Sequence, residues 1–109
     1  MVVSKQTTPT FIEAALPELV ADILEYLELE ESDEFTADDL TLAGYYSAGP
    51  SVAFLVYEYT SDDEPGIAAI RLNQKSRSFQ DACVFSWGRE EGQSIEEALA
   101  DFLEMNPPA

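Results

Sequence analysis

Histidine is absent from the 109 residues, cysteine occurs once, and lysine and arginine together number 5 against 22 aspartates and glutamates. Each scarcity excludes something. Without histidine there is no Ser-His or Cys-His pair, and the commonest general base and metal ligand is missing. Cys83 has no second cysteine to pair with, which points to a reducing, cytoplasmic setting. So few cations leave no basic face for direct binding of DNA, RNA or an anionic membrane. No run approaches the roughly 18 apolar residues of a membrane span, and no leader-like segment opens the chain. A Gly-rich phosphate loop is also lacking. Gly88–Gly92 precedes a helix pattern, but Glu90, Glu91, Glu96 and Glu97 would repel an anion.

What remains is a chain of 46% hydrophobic residues, ordinary for one globular domain and too apolar for a disordered acidic tail. Its net charge of −17 is unevenly placed. Residues 1–44 hold 11 acids against Lys5, residues 45–87 hold 5 against Arg71, Lys75 and Arg77, and residues 88–109 hold 6 against Arg89. Two acidic ends flank a nearly neutral, apolar middle.

Periodicity divides the chain. Residues 1–9 read as a flexible arm, 10–106 as a single α+β domain and 107–109 as a tail. Thr10-Phe-Ile-Glu13 has the form of a capping box. Leu16, Leu19, Val20, Ile23, Leu24 and Leu27 then make a helical apolar stripe, with Pro17 either kinking one helix or starting a second. After the acidic stretch Glu28–Asp39, in which Thr36-Ala-Asp-Asp39 caps a short turn, the period changes to two. Strands are expected at Leu42–Ala48, Val52–Thr60, Ile67–Leu72 and Phe79–Trp87, joined by turn-rich connections. Ser94-Ile-Glu-Glu97 is a second capping box, and Ile95, Ala98, Leu99, Phe102 and Met105 form the apolar side of a closing helix. The expected fold is a four-stranded antiparallel meander in the order α-β-β-β-β-α, with both helices on one face. That arrangement leaves the other face open. If the Phe54 and Val56 side meets the helices, Tyr57 and Tyr59 are the candidate apolar interface, for a partner or a second copy of the chain; the opposite assignment of faces is the alternative.

Opposite the first helix's stripe lie Glu18, Asp22 and Glu25; the closing helix repeats the spacing with Glu97, Asp101 and Glu104. Three carboxylates at i, i+4 and i+7, with a rise of about 1.5 Å per residue, give one charge per roughly 5 Å. A DNA strand presents one phosphate per roughly 3.4 Å. Glu28, Glu30, Glu31, Asp33, Glu34, Asp38 and Asp39 extend the track. Such like charges repel at i, i+4 and few lysines interleave to relieve them. The expectation is therefore a small non-catalytic binding protein whose acidic helices meet a basic protein surface. In its most specific form it is a nucleic-acid mimic inhibiting a DNA- or RNA-binding protein. Competing readings are an immunity, antitoxin or secretion-chaperone-like neutraliser of a basic partner, and a salt-adapted domain with no mimicry.

Catalysis, cofactors and a metal site are not expected. Asp33, Glu34, Asp38 and Asp39 lack the alternating ligand spacing and central glycine of an EF-hand loop, and Cys83 reads as a small core residue of an apolar strand. In charge the chain is similar, as a physical class, to the small acidic anti-restriction and anti-CRISPR inhibitors of phage. The run Gly92-Gln-Ser-Ile-Glu-Glu-Ala98 is similar to the helix start that closes HicB-like antitoxin domains. A capping box accounts for the same residues, and no role is carried over.

Overall fold

Val52 to Tyr57 is buried at every position, and so is Ile67 to Ile70. A strand half-covered by one layer would alternate buried with exposed; these two strands are covered on both faces. The computed structural model shows how, describing residues 2–31, 35–61 and 64–106, apart from the side chains of Glu30, Glu31, Ser61, Asp81 and Ser86.

The elements are β1 (Val3–Gln6), α1 (Thr10–Glu31), β2 (Thr41–Ala48), β3 (Val52–Ser61), β4 (Glu64–Asn73), β5 (Ser78–Ser86) and α2 (Ile95–Met105). The five strands form one sheet in chain order, every neighbouring pair antiparallel. This is an α+β fold with a helix near each end. The expected meander is there, lengthened by one strand. Val3–Gln6, read from sequence as part of a flexible arm, pairs with the end of β2, Val3 opposite Ala48 and Lys5 opposite Tyr46.

The helices do not share a face. Leu19, Ile23 and Leu27 of α1 pack with Leu55, Tyr57, Tyr59 and Ile70, while Ala98, Leu99 and Leu103 of α2 pack with Tyr46, Phe54, Val56 and Ile67. The sheet lies between them. The cause is visible in β3, where both parities are apolar, so one helix could cover only half of what must leave water. Tyr57 and Tyr59 are therefore not an open interface. They lie beneath α1, 6% and 7% exposed.

Local chemistry explains the element ends. α1 runs unbroken through Pro17, so the choice left by sequence resolves to one helix. Its first residue is Thr10, and the Pro9 carbonyl accepts the amides of Ile12 and Glu13 at 3.1 Å, so the chain turns into the helix one residue before the expected cap. At α2, the Ser94 Oγ accepts the Glu97 N–H at 3.2 Å, as a capping residue should. The described α2 residues differ from expectation at one point: Met105 is 83% exposed, and Leu103 takes the buried position. Gly66 allows a close approach, since a Cβ there would lie 2.5 Å from the Tyr59 ring carbon. A register shift between Ile70 and Leu72 changes which side β5 residues take. Beyond it Phe79, which unbroken alternation would place beside Cys83 and Phe85, instead meets Phe11 of α1 at 6.3 Å.

Candidate functional site

The same 3.6-residue period that buries Leu19, Ile23 and Leu27 turns Glu18, Asp22, Glu25 and Glu28 outward, and all four are exposed. Among the described residues none of these carboxylates has a hydrogen-bond or ion-pair partner. No basic residue stands in the last turn of α1. Carboxylates at that negative end of the helix dipole are unfavourable, so this face is not arranged for helix stability.

The three arginines are engaged elsewhere. Arg71 Nη1 donates to the Asn106 carbonyl at 3.2 Å, at the C-terminal end of α2, and its Nε donates to Gln80 Oε1 at 2.8 Å. The Arg77 guanidinium lies over the Phe11 ring at 5.3 Å, and that of Arg89 over Trp87 at 5.7 Å. The aliphatic chain of Lys5 crosses Gly44, whose missing side chain leaves the room. Guanidinium groups that stack on rings and cap a helix leave the carboxylate rows uncompensated.

The remaining acidic positions fall into separate groups. Glu97, Asp101 and Glu104 are exposed on α2, with the sheet between them and the α1 row. The two rows lie on separate faces of the molecule. Two of the three also have local work. Glu97 Oε1 accepts from Ser94 Oγ at 3.4 Å, and Asp101 Oδ2 accepts from Gln93 Nε2 at 2.9 Å. Asp39 closes the short turn before β2, its Oδ2 accepting the Thr36 N–H at 2.7 Å, as the capping motif there implies. Asp38 beside it is exposed. Glu30 and Glu31 end α1, but their side chains, like all of Asp33 and Glu34, lie outside the described residues. The row that the structure assembles is thus Glu18 to Glu28.

Cys83 faces α2 among apolar neighbours, its Sγ donating to the Ala69 carbonyl at 3.6 Å. Burial pushes its thiol up to about 11, the Arg71 guanidinium pulling back only in part. A group held protonated in this way is a poor nucleophile at neutral pH. It also makes stability depend on pH. The unfolded thiol releases its proton near 9.0, the folded one near 11. The contribution is complete below pH 9 and is lost as pH rises through 11, on the order of 2–3 kcal/mol in all. Burial raises Tyr45 and Tyr57 likewise, and Tyr46 by burial first and then by Glu96 and Glu58, which reinforces the loss above pH 10. Labelling at pH 8 should run roughly a hundredfold slower on the native protein than on the urea-unfolded chain, through thiolate fraction alone. Equal rates would show that the thiol is not buried as described.

Among the described residues no group of three or more Cys, Asp or Glu side chains is placed to hold a metal ion, and no helix is long and apolar enough to cross a membrane. Sequence reasoning missed two exposed apolar side chains, Leu29 of α1, 77% exposed, and Met105 of α2. Leu29 was discoverable, because it lies two residues past Leu27 and so off the buried stripe. No family model, characterised protein or solved structure matches this chain.

Proposed function

We propose that this protein is a non-catalytic binding protein whose α1 face engages a basic surface of another protein, most specifically the groove by which a DNA- or RNA-binding protein holds a nucleic-acid backbone. One observation carries the reading: Glu18, Asp22, Glu25 and Glu28 form an exposed row with no cationic partner among the described residues, on a helix whose other side is locked into the core. A rigid row at one charge per roughly 5 Å is within a factor of two of the phosphate spacing of a strand. A preorganised row also lowers the ordering cost of binding. The α2 carboxylates form a second, separate face for the same kind of contact.

The test is affinity capture at low salt with and without excess duplex DNA, performed with the parent protein and with the Glu18→Lys, Asp22→Lys, Glu25→Lys triple variant. Three reversals move the net charge from −17 to −11. The expected result is a nucleic-acid-binding protein that DNA displaces, and whose association with the triple variant is slowed on the order of 10- to 1000-fold. The variant should be folded and at least as stable, since it removes like-charge repulsion. A partner that DNA cannot displace points instead to an immunity, antitoxin or chaperone role. Unchanged binding by the variant removes the α1 face as the site. A steep gain of stability in molar salt, with no partner captured, marks the charge as a solvated coat.

A further inference from the structure

The sheet has two edges, and they are built differently. β1 is four residues long and carries Lys5, features that discourage strand pairing. β5 is nine residues long, contains no proline or lysine, and among the described residues has β4 as its only neighbour in the sheet. Trp87 N–H bonds the Pro65 carbonyl at 3.4 Å, which sets the parity of the ladder. Phe85 with Ile67 and Cys83 with Ala69 then exchange bonds, and the amides and carbonyls of Ala82, Val84 and Ser86 point away from the sheet. Beside this edge runs a groove of about 950 Å³, with Val84 and Phe85 at its floor, Tyr26 of α1 on one side, and Phe102 and Met105 of α2 on the other. Because the helices lie on opposite faces, the edge opens as a slot between two walls. A second cavity of about 520 Å³ shares Tyr26 with the groove and reaches Gln80 and Ala82 of β5. Leu29 lines this cavity and Met105 the groove, both among the most exposed large apolar side chains, and Phe79 stands in the same strand.

We propose that the outer edge of β5 receives an extended basic segment of another protein, which joins the sheet as an added strand between α1 and α2. The unpaired peptide groups supply the strand's hydrogen bonds, and the flanking apolar side chains receive its apolar residues. Charge selects the occupant. Asp101, Glu90, Glu91 and Glu64 line the groove, and Asp22 and Glu25 of α1 line the adjoining cavity. Two copies meeting at this edge would bring all of these carboxylates together, whereas a segment alternating lysine or arginine with apolar residues neutralises them. The slot excludes Glu18 and Glu28, so its failure leaves the reading of the α1 face standing.

The probe is a labelled, blocked decapeptide alternating Lys with Val, measured by fluorescence anisotropy at low salt. Two further versions are N-methylated on one or the other alternate set of amides, and a fourth carries Glu in place of Lys. In an added strand only one set of amides faces β5. One methylated peptide should therefore weaken by at least about tenfold while the other binds like the parent, and the Glu peptide should not bind. Amide exchange should slow at Ala82, Val84 and Ser86. Val84→Pro removes an outward donor and should lose the peptide; if it does not fold, Leu29→Lys with Met105→Lys, both at exposed positions, should weaken binding instead. Equal binding by both methylated peptides, no binding of the Lys peptide, protection confined to α1, or sedimentation as a dimer held at β5 would each overturn the proposal.

Discussion

Truncating Phe54 to alanine should cost about 3–5 kcal/mol and truncating its neighbour Leu55 about 2–5 kcal/mol, yet the two variants should loosen different helices. Both side chains are fully buried, one residue apart in the central strand. Phe54 meets the Phe102 ring of α2 edge-on at 6.1 Å, while Leu55 belongs to the cluster of Leu19, Ile23 and Leu27. Each truncation leaves a cavity that the opposite side cannot fill, because the sheet backbone stands between. Urea unfolding gives the two losses. Native-state amide exchange in mild urea then separates them: Phe54→Ala should release α2 amides first and Leu55→Ala those of α1. If both variants released the same helix, the two-sided arrangement would be refuted and the one-sided sheet expected from sequence restored.

That expectation shows where the sequence was legible. The strand bounds were readable to within a few residues, because the turn-favouring residues Gly49-Pro50 and the composition Asp62-Asp-Glu-Pro-Gly66 punctuate alternating runs. The sides of the sheet were not. Alternation in Val52-Ala-Phe-Leu-Val-Tyr57 suggests one face in and one face out, although both parities are apolar. A strand apolar at every position signals coverage on both faces, which places the helices apart. β1 was hidden for the opposite reason: only Val3 of its four residues is buried, and an edge strand of that length has no period to detect. Of the candidate site, the outward row on α1 followed directly from its stripe. The separation of the two acidic rows could not be read until the helix faces were known. The slot at β5 was further still from view, since it depends on which strand ends the sheet and on a helix standing at either side.

Replacing Pro17 by alanine should stabilise the protein by about 2 kcal/mol, roughly 10 °C in Tm for a chain of this length. Pro17 is the eighth residue of the 22-residue α1 and is exposed. It has no N–H to give to the Glu13 carbonyl, and its ring crowds that carbonyl, at a cost near 3 kcal/mol in a helix interior relative to alanine. Part of the gain is offset because proline also restricts the unfolded chain, an effect of about 0.4–1 kcal/mol. Exposure on the outer side of α1 lets water reach the Glu13 carbonyl, which is why the helix tolerates the residue. The substitution changes no carboxylate, and it lies one residue before Glu18, at the head of the acidic row. Thermal unfolding of Pro17→Ala followed by the capture experiment therefore separates two properties of α1. A more stable helix that binds its partner as before means that the charges of the row suffice. A more stable helix that binds more weakly means that the backbone adjustment at Pro17 sets the line along which Glu18, Asp22 and Glu25 are presented. In that case the residue persists in spite of its cost to the fold because the row needs that line, as functional sites often retain locally unfavourable residues.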